Sequence, residues 1–91
     1  MKKSVRLLIT GSVQSVFFRQ FVQQQAVKQN VKGFIRNLED GRIEIFVEGD
    51  QDNVSSMREL CRKGPPHSII RAVEEREEPF QDFKEFKVLR F

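Results

Sequence analysis

The sequence lacks the residues for a disulfide, a zinc site or a membrane-spanning segment, three features that stabilise or locate many small proteins. It contains a single cysteine, Cys61, in 91 residues, so no internal disulfide can form and a reducing compartment fits. One cysteine and one histidine also make a tetrahedral zinc site implausible. No apolar run approaches the roughly 20 residues that span a bilayer. We therefore expect a cytoplasmic protein that has no membrane segment and no zinc site.

Tryptophan and tyrosine are absent, whereas phenylalanine occurs nine times. A phenylalanine ring adds apolar area without a polar atom that needs a partner, so we expect most of these rings in the core. The 16 basic and 13 acidic residues leave a net charge of +3, and the basic residues form no block. This pattern is typical of a mixed-charge surface and does not indicate nucleic-acid binding. The length predicts one domain, residues 1–91, and a monomer.

Residue periodicity predicts an α+β protein. Glycine, proline and aspartate separate the periodic segments, and Asp40-Gly41 is typical of a hairpin turn. The order β-α-β-β-α-β predicts a ferredoxin-like sandwich, in which two helices cover one face of an antiparallel sheet. Residues 84–91 alternate again and are a candidate fifth strand at the C-terminal edge. The predicted strands are 5–10, 34–38, 43–48 and 68–75, and the predicted helices are 18–30 and a segment between an Asp50 or Asp52 cap and Gly64-Pro65-Pro66.

The segment that joins the first strand to the first helix is the most informative for function. Gly11 is expected to end the strand, and residues 11–17 form a predicted loop of mostly small residues. Such a loop can turn backbone N–H groups toward one point beside the positive end of the helix dipole. Arg19 can add a planar guanidinium whose donors match phosphate oxygens. These residue types can form a phosphate or carboxylate site. By themselves they do not favour it over the alternative, a simple turn followed by a surface arginine.

Asn37 is a second candidate. It lies near the end of the second predicted strand, before the Asp40-Gly41 turn. Its amide offers both a donor and an acceptor, so it can hold a water molecule. If the first two strands lie close together, Asn37 faces the loop. The alternative is an asparagine that caps backbone groups of the turn.

Two segments resemble the signatures of the acylphosphatase family. Residues 9–19, ITGSVQSVFFR, are similar to the first signature, in which Gly-x-Val-Gln-Gly-Val leads to Phe-Arg. Residues 33–37, GFIRN, followed by Gly41, Ile43 and Gly49, look like the second signature with its spacing intact. The similarity covers essentially the whole chain.

The resemblance implies an enzyme that hydrolyses acyl phosphates to a carboxylate and inorganic phosphate. It implies that Arg19 binds and orients the phosphoryl group and that Asn37 positions the attacking water. It also implies direct attack, without metal, cofactor or covalent enzyme intermediate. The expected partners are a small-molecule acyl phosphate and inorganic phosphate, with no nucleic acid and no membrane. The backbone expected to cradle the phosphate runs through Gly11, Ser12, Val13, Gln14, Ser15 and Val16.

Ser15 departs from the signature, because the family has glycine there. If this position needs a left-handed backbone, a serine costs about 1–2 kcal/mol. A loop amide turned away from the site would lower the rate by about 10²–10³. The alternative function is therefore a weakened or silent phosphate-binding domain of the same fold. We expect an active enzyme in which Ser15→Gly retains or raises activity.

Other features favour structural roles. Lys32-Gly33-Phe34 begins like the central motif of RNA-recognition domains, but Ile35-Arg36-Asn37 lacks the stacking aromatics that follow it there. Cys61 lies on the apolar face of the second helix, and His67 follows two prolines in a predicted surface loop. Four glutamates are expected at a solvated strand end, namely Glu74, Glu75, Glu77 and Glu78.

Overall fold

The structure is a computed structural model, and it describes residues 1–12, 15–66 and 68–89. Its elements follow the predicted order, βαββαβ, and a short fifth strand comes last. The elements are β1 (Lys2–Ser12), α1 (Ser15–Lys28), β2 (Lys32–Asn37), β3 (Ile43–Asp50), α2 (Gln51–Lys63), β4 (Ile69–Glu77) and β5 (Phe86–Val88).

The strands form one sheet in the order β4-β1-β3-β2-β5. Neighbouring strands among β1 to β4 are antiparallel, as predicted. The fifth strand is confirmed as an edge strand, but it runs parallel to β2, so the sheet is mixed. The ferredoxin-like α+β architecture is confirmed.

Both helices pack against the same face of the sheet. Alternate residues of β1 project into this core, and Val5, Leu7 and Ile9 are at most 1% exposed. The apolar stripe of α1 covers them because Val22 and Ala26 lie four residues apart on one helix face. The other helix contributes Val54, Met57 and Cys61.

The end of β1 differs from the prediction. Gly11 does not end the strand, which continues to Ser12 across a bulge between Thr10 and Gly11. A Cβ atom on Gly11 would collide with the backbone carbonyl oxygen of Ile69 and lie 2.9 Å from the Cα of Ile70. Glycine is therefore needed here for the close approach of β4, and it permits the bulge instead of breaking the strand.

The start of α1 was also predicted wrongly. The helix begins at Ser15, three residues before the predicted start, and ends at Lys28. Val16 and Phe17 are 55% and 62% exposed, so these apolar residues do not follow the core periodicity that was used to locate the helix. Asn30 follows with a φ of 55°, a left-handed conformation that asparagine tolerates after a helix.

The outer face of the sheet, opposite the helices, is covered by residues 78–85 between β4 and β5, here called the strap. Glu48 on β3 is 1% exposed, and its carboxylate accepts the backbone N–H of Gln81 at 2.8 Å and of Phe83 at 2.6 Å. The Phe83 ring lies 5.4 Å from the Phe46 ring and 5.8 Å from the Phe34 ring, between centroids. The strap therefore closes this face with both polar and aromatic contacts.

The expectation that most phenylalanines lie in the core was wrong. Only Phe18, Phe46 and Phe86 are buried among those that the structure describes, and Phe46 lies under the strap instead of under the helices. Phe17 and Phe80 are 62% and 48% exposed. Composition alone did not distinguish these environments.

Candidate functional site

The register of the sheet brings the two candidate segments to one end of the molecule. Ile9 on β1 and Asn37 on β2 are both opposite Ile43 on β3, so the three residues form one row across the sheet. At about 4.8 Å per strand, the backbones of Ile9 and Asn37 lie about 10 Å apart. Cross-strand partners project to the same face, and Ile9 and Ile43 face the helices. Asn37 therefore belongs to the helix-covered face, at the end where β1 leads into α1.

Asn37 is the last residue of β2, and its side chain is half-buried. Its Oδ1 atom is buried and has no hydrogen-bond partner among the residues that the structure describes. A buried acceptor without a partner costs about 1–3 kcal/mol, so such an atom calls for a water molecule or a ligand.

The alternative role for Asn37, as a cap of the turn, is not supported. The N–H of Leu38 donates to the carbonyl of Arg42 at 2.8 Å, and the N–H of Gly41 donates to the carbonyl of Leu38 at 3.1 Å. Asp40 accepts the N–H of Arg42 at 3.0 Å. The hairpin is closed by its own residues, which leaves the side-chain oxygen of Asn37 directed elsewhere.

Arg19 is the fifth residue of α1 and is half-buried. It makes no hydrogen bond or ion pair in the part of the chain that the structure describes. By contrast, Arg36 and Arg6 both bind the buried carboxylate of Glu44 on the outer face, Arg6 at 2.9 Å. The first turn of α1 carries no acidic residue, so the positive end of the helix dipole adds to the charge of Arg19. This end of the molecule is suited to an anion.

The predicted phosphate cradle lies where β1 passes into α1. Gly11 and Ser12 end β1, and Ser15 and Val16 begin α1. Val13 and Gln14 lie outside the described residues. The first N–H groups of a helix have no partner within the helix, so those at the start of α1 can bind an anion.

Ser15 is the first residue of α1, and its backbone is therefore helical. A serine adopts this right-handed conformation without the cost that a left-handed position would impose. Ser15 therefore does not have the left-handed backbone considered for it, whereas the loop amides at residues 13 and 14 lie outside the described residues.

A cleft of about 490 Å³ separates α1 from β5 and begins beside Arg19. The helix side is lined by Val16, Gln20 and Gln23 in addition to Arg19, and the strand side by four consecutive residues, Glu85, Phe86, Lys87 and Val88. Sequence reasoning missed this cleft because it depends on the pairing of β5 with β2. The only available signal was the alternation of Phe86 and Val88 near the C-terminus.

Cys61 and Glu75, two of the residues expected to have structural roles, have surroundings that the structure describes. Cys61 is fully buried, and burial raises the pKa of its thiol to about 12, so it is protonated at neutral pH. His67 lies outside the described residues. Glu75 binds Arg58 and Arg62, and no group of three His, Cys, Asp or Glu within residues 1–12, 15–66 and 68–89 is arranged to hold a metal ion.

The RNA-binding alternative can be judged from the fold. The Lys32-Gly33-Phe34 segment lies at the start of β2, and the neighbouring Phe46 ring is 1% exposed beneath the strap. Phe46 is therefore not available for base stacking. No helix in the described ranges is long and apolar enough to cross a membrane.

Comparisons with known proteins identify the family of the chain. The sequence profile described as Acylphosphatase matches residues 5–88. The acylphosphatase of Syntrophobacter fumaroxidans is 43% identical over 88 residues, covering 96% of this chain and 91% of that protein. The crystal structure of acylphosphatase from Bacillus subtilis has a TM-score of 0.89 at 32% identity, covering 98% of this chain and 99% of that chain.

A larger protein also contains the fold. The structure of HypF from T. kodakarensis has a TM-score of 0.82 at 33% identity, and the match covers 100% of this chain but 12% of that chain. The profile and the relatives named acylphosphatase match nearly the full length, and the range 5–88 contains both segments that resemble the signatures. The chain belongs to the acylphosphatase family of hydrolases.

Proposed function

We propose that this protein hydrolyses acyl phosphates to a carboxylate and inorganic phosphate, by direct attack of a water molecule on phosphorus. One observation carries the proposal. Arg19, whose charge no described residue neutralises, and Asn37, whose buried Oδ1 has no described partner, belong to the same end of the helix-covered face. Arg19 follows the start of α1 by one helical turn, and the row Ile9, Ile43 and Asn37 joins Asn37 to the end of β1 that precedes α1.

Arg19 is the proposed phosphate ligand. Phosphoryl transfer spreads negative charge over the equatorial oxygens of the phosphoryl group, so catalysis rests mainly on positioning and charge stabilisation. A guanidinium supplies paired donors with a permanent charge. The backbone N–H groups from Gly11 to Val16 are the proposed additional donors.

Asn37 is the proposed water ligand. Its Oδ1 accepts one hydrogen of the water, whose oxygen lone pair then points to phosphorus. As the new P–O bond forms, the bond between phosphorus and the acyl oxygen breaks, and the carboxylate leaves with the electron pair. An oxygen of the phosphoryl group takes the proton of the water. No metal, cofactor or covalent intermediate takes part in this scheme, and a monomeric single domain in the cytoplasm suffices for it.

The test is the hydrolysis of benzoyl phosphate, followed by the loss of ultraviolet absorbance in the presence of EDTA. Arg19→Ala should lower kcat/KM by about 10³ or more because it removes the charge at the transferring group. Asn37→Ala should lower kcat by a larger factor than it raises the inhibition constant of inorganic phosphate, because it removes only the water ligand. Lys28→Ala, at the other end of α1, and Asn53→Ala, on α2, are the matched controls.

Two results would contradict the proposal. Turnover that requires a metal ion, or that survives in Arg19→Ala, excludes the assigned mechanism. A folded wild type that binds inorganic phosphate but hydrolyses nothing would favour the silent phosphate-binding domain instead.

A further inference from the structure

We propose that the cleft between α1 and β5 is the subsite for the acyl group of the substrate, and that Gln23 determines which acyl groups fit. We call it the acyl cleft. Its lining comes from one side of α1 and from the β5 edge: Val16, Arg19, Gln20, Gln23, Glu85, Phe86, Lys87 and Val88. The inference rests on the proposed function, since it places the leaving group of that reaction. It predicts that the side chain at residue 23 sets the preference between long and short acyl groups.

The acyl cleft is continuous with the proposed phosphate site. Arg19 lines it, and Val16 belongs both to the cleft and to the proposed phosphate cradle. A phosphoryl group bound by Arg19 therefore has its acyl oxygen beside the cleft. The seven-residue step from Val16 to Gln23 corresponds to about 10 Å along the helix, at 1.5 Å per residue. The volume of about 490 Å³ is ample for a small acyl group.

The lining of the acyl cleft combines apolar and polar side chains. On the strand side, Phe86 is 8% exposed and Val88 is half-buried, and the exposed Glu85 and Lys87 lie beside them. Val16 is 55% exposed, an apolar surface that an acyl group would cover. Gln20 and Gln23 place uncharged amides on the helix side, and Glu85 and Lys87 add one charge of each sign on the strand side.

Gln23 is the residue best placed to select the acyl group. It follows Arg19 by four residues, so the two side chains are neighbours on one face of α1. Gln23 is thus one helical turn beyond the phosphate ligand, where the distal part of a benzoyl ring would lie. An acetyl group is too short to reach it. The adjacent Gln24 is exposed on the same helix but does not line the acyl cleft, and it provides a matched control.

The first experiment compares kcat/KM for benzoyl phosphate and acetyl phosphate. Gln23→Trp should lower the benzoyl-to-acetyl ratio by about tenfold, because the indole occupies the space of the ring. Gln24→Trp should leave the ratio within about twofold of the wild type. Inhibition by inorganic phosphate is measured in each variant to monitor the phosphate site.

The second experiment seeks a gain of activity, which a damaged fold does not produce. Gln23→Lys should raise kcat/KM for 4-carboxybenzoyl phosphate relative to benzoyl phosphate by roughly fivefold, because the ammonium meets the distal carboxylate. Gln24→Lys should not change this preference.

Failure of the proposed function and failure of the acyl-cleft inference give different results. A folded wild type that hydrolyses neither substrate overturns the proposed function and this inference with it. If the wild type is active but the Gln23 and Gln24 variants have the same benzoyl-to-acetyl ratio of kcat/KM, this inference alone is overturned. The same holds if the inhibition constant of phosphate rises in Gln23→Trp by as much as the KM for benzoyl phosphate.

Discussion

At the scale of single residues, Ser15 is where this chain departs from the acylphosphatase signature. It is the first residue of α1, where serine and glycine both adopt the helical backbone. We therefore expect Ser15→Gly to keep kcat/KM for benzoyl phosphate within about threefold of the wild type, less than 1 kcal/mol in activation free energy. A loss of tenfold or more would show that the serine itself contributes to the site.

Arg19 and Asn37 were predictable as candidate site residues from the sequence. Both were identified from motif spacing, which does not depend on the exact start of a helix or end of a strand. What the sequence did not reveal is that Asn37 Oδ1 is buried without a described partner while the hairpin is closed by Asp40, Gly41 and Arg42. That distinction depends on which atoms meet after folding, and periodicity carries no information about it.

At the scale of elements, the order of strands and helices was predictable because alternation and turn residues act locally. The outer face was not, because its contacts join distant segments: Glu48 and Phe83 are 35 residues apart in the chain. Glu48 is a polar residue in an alternating segment, which is typical of an exposed side chain. The strap buries it instead. The parallel pairing of β5 with β2, and therefore the acyl cleft, is also a long-range contact.

The strap leads to a prediction about stability. The Glu48 carboxylate accepts three hydrogen bonds, from Ser4 Oγ at 3.0 Å and from the two backbone N–H groups of the strap. In Glu48→Gln, an NH₂ group replaces one acceptor oxygen and faces a donor, so at least one buried N–H or O–H loses its partner. We expect the free energy of unfolding to fall by about 1–3 kcal/mol.

Urea denaturation measures this loss, and Glu59→Gln on the exposed surface of α2 is the control. The hydrolysis rate at 25 °C should stay close to that of the wild type, because the strap and the site lie on opposite faces of the sheet. Equal unfolding free energies for Glu48→Gln and the wild type would show that the strap is not held by this carboxylate.

At the scale of the whole molecule, Glu75 links the two layers. It lies on β4, and its carboxylate binds Arg58 and Arg62 of α2, the latter at 2.9 Å. Burial alone would raise its pKa, but the hydrogen bonds and charges of the two arginines outweigh burial and hold the pKa of the Glu75 carboxyl below its ordinary value. Folding therefore favours the charged form, and the unfolded chain binds a proton more readily.

The sign of the pH dependence follows from this linkage. The stabilisation by Glu75 is fully present above the ordinary carboxyl pKa and is lost as the pH falls through the lowered value. At pH 7, Glu75→Gln should be less stable than the wild type by about 1 kcal/mol, since the side chain is only 20% exposed and pairs with two arginines. Between about pH 5 and pH 3 this difference should shrink as the wild-type carboxylate takes up its proton. Urea denaturation of both proteins across that range measures it, and a difference that stays constant with pH would mean that packing, not charge, joins β4 to α2.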